Sequence, residues 1–113
     1  MKSSEKLCWV YLTAGSIEEA KDIGHILVEK NLAACVNLLE NMTSIYNWED
    51  KLEESQEVVM IAKTRKKLMP NLIEAVKSRH SYDCACILEL PIQGGNPGFL
   101  SWIETETEFT EEK

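Results

Sequence analysis

Ala34-Cys-Val-Asn-Leu-Leu-Glu-Asn-Met-Thr-Ser-Ile-Tyr-Asn-Trp48 runs directly into Glu49-Asp50-Lys51 and shortly afterwards into Glu57-Val-Val-Met-Ile-Ala-Lys-Thr64. The two flanks are rich in β-branched and aromatic residues, and the polar tripeptide between them has turn composition. The stretch therefore predicts two antiparallel strands, over 34–48 and 57–64, joined as one long hairpin. Upstream, Cys8-Trp-Val-Tyr-Leu-Thr-Ala14 is apolar or β-branched at nearly every position, as in a central strand covered on both faces. Gly15 ends that run and Ser16-Ile-Glu-Glu19 has capping-box spacing. Ala20, Ile23, Gly24, Leu27 and Val28 then recur on one helical face, which predicts a helix over 17–31. Downstream, Leu68, Leu72, Ile73 and Val76 have helical spacing, with Lys77 and Arg79 at the carbonyl end where cations are favoured. Pro70 must lie in that helix's first turn, or the helix must begin later than the spacing suggests. Cys86-Ile-Leu-Glu-Leu-Pro91 reads as a fourth strand, and Asn96-Pro97 as N-cap and first position of a third helix carrying Leu100, Trp102 and Ile103.

Strand, helix, strand, strand, helix, strand is the ferredoxin-like α+β plan (βαββαβ): an antiparallel sheet with two helices on one face, here with a long β2-β3 hairpin and an extra C-terminal helix. Two helices cover one face of the sheet. Trp9, Tyr11, Tyr46, Trp48, Val58 and Val59 supply more apolar surface than that face consumes, so copies of the same chain in closed symmetry are the expected cover. The length of 113 residues sets a single domain over 1–113, with residues 104–113 as a frayed tail.

Composition narrows the function. Twelve Lys and Arg against 19 Asp and Glu leave a net charge of −7, which opposes nucleic-acid binding. The basic run Lys63-Thr-Arg65-Lys66-Lys67 reads as a solvated first turn of a helix. No apolar run approaches the length of about 20 residues needed to span a bilayer, and Glu5 precedes the short apolar stretch of 7–12, so a cytoplasmic protein without membrane contact is expected. Cys8, Cys35, Cys84 and Cys86 then need no disulfide framework, and Cys8 and Cys35 are expected in the core.

A specific resemblance rests on Leu32-Ala-Ala-Cys35-Val-Asn37, Thr43-Ser-Ile-Tyr46-Asn-Trp48-Glu49, Lys51-Leu-Glu, Glu57-Val, Ile61-Ala-Lys-Thr64, His80-Ser-Tyr82, Leu90-Pro91-Ile and Gly95-Asn96-Pro97. In order and spacing these resemble the CutA family of divalent-cation tolerance proteins, over about residues 8–103. The resemblance implies a ferredoxin-like protomer in a homotrimer, with the hairpin reaching onto neighbouring subunits. It also implies a link to copper and other divalent metals, without a catalytic mechanism. The proposed copper position of that family is altered here: its cysteine before Thr-Ala is Leu12, the first histidine of its pair is Arg79, and His80 is retained. Its usual His-Pro-Tyr-Glu-Val-Pro-Glu is His80-Ser-Tyr-Asp-Cys-Ala-Cys86, with two thiols gained.

The candidate metal ligands are therefore His80, Cys84 and Cys86, for copper or another divalent metal. The two cysteines share one face of an extended segment and suit a soft ion; packing as small apolar side chains is the alternative for both. The candidate ligand-binding residues are Trp48, Lys63 and Tyr82, with His80, in a cleft such as PII-like trimers of similar architecture place between subunits; the alternative is that they pack the trimer. A thiol enzyme pairing His80 with Cys84 or Cys86 is the third reading, and it suffers from residues too close in sequence to converge on one reacting atom. His25, mid-helix beside Gly24, is expected at the surface or an interface.

Overall fold

The computed structural model describes residues 6–108. Its elements are β1 (Leu7–Ala14), α1 (Ile17–Glu29), β2 (Cys35–Trp48), β3 (Lys51–Arg65), a single 3-10 turn (Lys66–Leu68), α2 (Met69–Lys77), β4 (Ile87–Pro91) and α3 (Pro97–Glu106). The strands form one antiparallel sheet in the order β2-β3-β1-β4, which is the ferredoxin-like arrangement.

Alternation along the two central strands sorts their side chains. Cys8, Val10, Leu12 and Ala14 of β1 and Val58, Met60 and Ala62 of β3 face α1 and α2 and are buried with Ala20, Ile23, Leu27, Leu72 and Val76. Burying a Leu or Ile side chain of this kind contributes about 1.5–3 kcal/mol. Trp9, Tyr11, Val59 and Ile61 point to the opposite face, where they are half-buried. There α3 covers one end: Ile103 and Leu100 pack against Leu7 and Ala34. Arg65 ties this helix down by donating to the Thr107 hydroxyl at 2.9 Å and to the Glu104 carbonyl. Of the tail expected to fray, residues 104–106 are helical and Thr107 is buried, while 109–113 lie outside the described residues.

Several boundaries differ from the sequence reading, each for a local reason. The first helix ends at Glu29 rather than 31, because Asn31 turns left-handed (φ 59°). The Leu32 and Asn31 amides then donate back to the Leu27 and Val28 carbonyls at 2.8 and 3.1 Å, a Schellman stop. Only half of the capping box forms: Ser16 accepts from the Glu19 amide at 3.1 Å, but the Glu19 carboxylate is drawn away to Ser81. The third strand starts at Lys51 instead of Glu57, since pairing with β2 carries the polar stretch 52–56 into the sheet. The turn is the two residues Glu49-Asp50, both left-handed (φ 51° and 65°), rather than a tripeptide. Pro70 sits in the first turn of α2, after a 3-10 entry that the apolar spacing had merged into the helix. Cys86 precedes the fourth strand, which begins at Ile87.

An irregularity in β2 re-aims the outer half of the hairpin. Between Leu39 and Met42 the register slips by one residue against β3, with Asn41 left-handed at φ 64°. That bulge reverses the parity of the strand. Met42, Ser44, Tyr46 and Trp48 therefore continue on the face that Asn37 and Leu39 occupied, opposite Glu57, Ser55, Glu53 and Lys51.

Candidate functional site

The hairpin arm, the end of β1 and the loop before β4 enclose an open groove of about 860 Å³. Its aromatic lining is Tyr11, Tyr46, Trp48 and Tyr82, and its charged lining is Glu57 and Asp83; Met42, Cys84 and Cys86 also open on it. Glu57 sits at the junction. One carboxylate oxygen accepts from the Ser44 hydroxyl at 2.6 Å and the other from the Tyr82 phenol at 2.9 Å, so it joins both hairpin strands to the 80–86 loop. Burial, followed by this bond to Glu57, pushes the Tyr82 phenol up to about 12. Gly15 permits the approach: a Cβ there would lie 3.3 Å from the Tyr82 hydroxyl.

His80 anchors the loop. Its Nε2 lies 2.7 Å from the Thr13 carbonyl and its Nδ1 is 3.0 Å from the Tyr82 amide. A carbonyl only accepts and an amide only donates, so Nε2 carries the proton and Nδ1 is the acceptor. The side chain is 1% exposed, with the Glu19 carboxylate 3.5 Å from Nδ1 and the Tyr82 ring 4.7 Å away edge-on. Glu19 also accepts from the Ser81 amide and hydroxyl.

The predicted residues thus divide. Trp48, Tyr82, Cys84 and Cys86 share the groove, Cys84 exposed and Cys86 half-buried, the latter with its thiol pushed up by burial and by Glu57. His80 lies behind them with both nitrogens engaged. Lys63 belongs elsewhere, in a separate depression with Trp9, Asn37 and Phe99, donating to Asn37 Oδ1 and standing 3.7 Å from Cys35 Sγ. Cys35 is half-buried on that face rather than in the core, while Cys8 is buried beneath the helices. All four thiols are free. Arg79, where the resembled family has a histidine, is paired with Asp22 at 2.9 Å, and His25 is exposed. The basic run is dispersed: Lys63 and Arg65 belong to β3 and Lys66 pairs with Glu89 at 2.9 Å. Sequence reasoning missed Glu57, Tyr11 and Ser44. Alternation on β3 would have placed Glu57 opposite the helices, but its partner across the strand depends on the bulge.

Among the described residues no three His, Cys, Asp or Glu side chains are grouped so as to hold a metal, and the histidine of the expected set has no free lone pair. No helix among them is long and apolar enough to cross a membrane.

A four-stranded antiparallel sheet in this order, with its helices and a long, partly bare β2-β3 hairpin, defines an α+β protein of the ferredoxin-like class. Residues 8–106 match the CutA1 divalent ion tolerance protein family, and the chain belongs to it. It is 46% identical to mouse Protein CutA over 87% of this chain and 55% of the mouse protein. It is 43% identical to the Archaeoglobus fulgidus divalent-cation tolerance protein CutA, over 88% of this chain and 97% of that one. The chain thus spans about half the length of the mammalian relatives and nearly all of the archaeal one. Among solved structures, CutA1 from Oryza sativa superposes with a TM-score of 0.91 at 36% identity, covering 96% of this chain and 100% of that one. The Archaeoglobus structure, described as a periplasmic protein, gives 0.87 at 42% identity over 90% and 99%, and an Arabidopsis relative is described as chloroplastic, so the compartment varies among relatives.

Proposed function

We propose that this CutA protein serves divalent-cation tolerance as a homotrimeric, non-catalytic scaffold of the cytoplasm, in which the groove beside the hairpin binds a small ligand. The observation that carries this reading is the groove itself, lined by Trp48 and Tyr82, beside an arm that leaves Ile45, Trp48 and Leu52 more than half exposed on the single chain. Exposed apolar residues in that number call for cover, and the rigid central sheet supplies a fixed wall for a cleft. The free thiols suit a reducing compartment. A non-catalytic role is supported by His80, whose engaged nitrogens leave no base for a neighbouring thiol. The test of assembly is light scattering on the purified reduced chain: a mass near three times 12.9 kDa is expected, and a monomer at micromolar concentration overturns the scaffold reading.

A second reading comes from one feature, the opening of both Cys84 and Cys86 on the groove: copper held by the thiols rather than by His80. Titration with Cu(I), Cu(II) and Zn(II) separates the two. Tight Cu(I) binding that disappears in the Cys84→Ser, Cys86→Ser double variant supports the thiol site, and equal binding by that variant removes it. Affinity should fall as the pH drops, because both thiols must lose protons to coordinate and Cys86 holds its proton more firmly than usual.

A further inference from the structure

The sheet face opposite α1 and α2 is charged at its two ends and apolar between them. Along β3 the side chains on that face are Glu57, Val59, Ile61 and Lys63, and β1 sets Tyr11 beside Ile61 and Trp9 beside Lys63. The acidic end belongs to the groove, whose charged lining is Glu57 and Asp83. The basic end belongs to the depression by α3, where Lys63 lies with Trp9 and Phe99. Six residue steps of β3, roughly 20 Å, separate the two charges, so no side-chain movement within one chain brings them together. Both retain bonding capacity. Each Glu57 oxygen accepts one bond and has a second lone-pair direction; the Lys63 ammonium has three protons, of which it donates one to Asn37 Oδ1 and directs another at Cys35 Sγ.

This polarity selects how copies of the chain can cover the face. Copies that carry −7 each repel, and setting groove on groove would place Glu57 and Asp83 against their own duplicates. A closed ring avoids that contact. Its interfaces are heterologous, so each copy presents one end of the face to the other end on its neighbour, and every junction is the same. We propose that the groove is half of a site built between two copies: the basic end of the neighbouring copy closes its open side, and Lys63 of the partner subunit pairs with Glu57. The apolar stretch between the ends, Tyr11, Val59 and Ile61, is buried by the same contact and forms the dry centre of the interface. This rests on the homotrimeric reading, and it names the patch that each copy offers and the residue it contributes. The ligand cleft of the scaffold is then the space between the two patches, with a cation that the groove of the single chain lacks.

Light scattering and dissociation on dilution are measured for the reduced full chain, for Lys63→Glu, for Glu57→Lys and for the double variant. Each single reversal sets like charges at every junction and should raise the subunit dissociation constant at least ~30-fold. The double variant should recover assembly, and an equal mixture of the two single variants should recover it in part, because opposite charges meet again. Recovery in the mixture is a result that a purely intrachain role of either residue would not produce. Glu57 also holds Ser44 and Tyr82, so a second measurement leaves the chain unaltered. Unlabelled and heavy-nitrogen-labelled chains are dissociated, reassembled together and treated with a water-soluble carbodiimide, which joins a lysine to a carboxylate in contact. An amide joining Glu57 to Lys63 of the partner subunit, one peptide light and the other heavy, is expected. An oligomer whose mass and dissociation are unmoved by Lys63→Glu, or one that gives no mixed-label amide, overturns the proposal and leaves the scaffold standing. A wild-type dimer in which the exchange of charges restores assembly overturns the trimer and keeps the pairing, whereas a wild-type monomer overturns both.

Discussion

His80 donates through Nε2 to the Thr13 carbonyl and accepts from the Tyr82 amide through Nδ1, so one ring holds the 80–86 loop against the end of β1. His80→Ala leaves both backbone groups short of a partner and opens a void; the cost should be about 2–4 kcal/mol, read as a lower urea midpoint. An unchanged midpoint would mean that water replaces the ring without penalty. Tyr82 offers a pH test. Its folded value near 12 lies above the ordinary 10, so the stabilisation from its protonated form is complete below pH 10 and is lost as pH rises through 12. Ultraviolet titration should show a late phenolate component, and Tyr82→Phe should abolish it. Cys8 behaves similarly in sign: burial, then the Glu89 carboxylate, pushes its thiol up to about 11, against a smaller pull from Lys66. It should resist alkylation in the native protein while Cys84 reacts.

At the level of elements, the hairpin is set by two short irregularities. The turn Glu49-Asp50 places two non-glycine residues at positive φ, a geometry that Asn-Gly adopts with less strain. Asp50→Gly should therefore stabilise the arm by about 0.5–1 kcal/mol, seen as a higher denaturation midpoint. The bulge at Asn41 has a larger consequence. Deleting Asn41 would remove the one extra residue of β2, so that Leu39, Met42, Ser44, Tyr46 and Trp48 follow in plain alternation and keep the face they share with Glu57. The expected result is a folded chain that keeps the groove lining, with the Tyr82 phenol titration unmoved; a return of that titration toward 10 would show that the outer half of β2 had changed faces.

For the molecule as a whole, the distribution of apolar surface argues for assembly. Leu52 is 77% exposed, Ile45 67% and Trp48 59%, all on an arm whose tip lies beyond the helices' reach. Within one protomer, Leu52→Lys removes no packing, so any effect must come from contacts between copies. The expected outcome is a lowered assembled mass by light scattering and a Tm that depends on protein concentration. A trimer of unchanged mass and Tm would place Leu52 outside the interface.

Much of this architecture was legible in the chain. Periodicity identified every helix and strand, Ser16 and Asn96 marked their helix starts as N-caps, and the order of elements specified the ferredoxin-like sheet, because those signals are local and each residue carries its own. The candidate groove was legible only in pieces. Trp48, Tyr82, Cys84 and Cys86 were singled out from the sequence and do meet, yet Lys63 and His80 were grouped with them on chemistry alone. Glu57 stood in the sequence only as a strand start and part of a motif, with no role at the groove attached to it. Which side of the sheet a residue faces depends on register, and a single bulge reverses it; how a loop packs onto the sheet depends on hydrogen bonds between segments distant in sequence, such as His80 to Thr13 and Tyr82 to Glu57. The sequence by itself determined the elements and their order, whereas the tertiary structure alone decided which side chains share a groove and what charge that groove presents, because those depend on long-range pairing that no local pattern encodes.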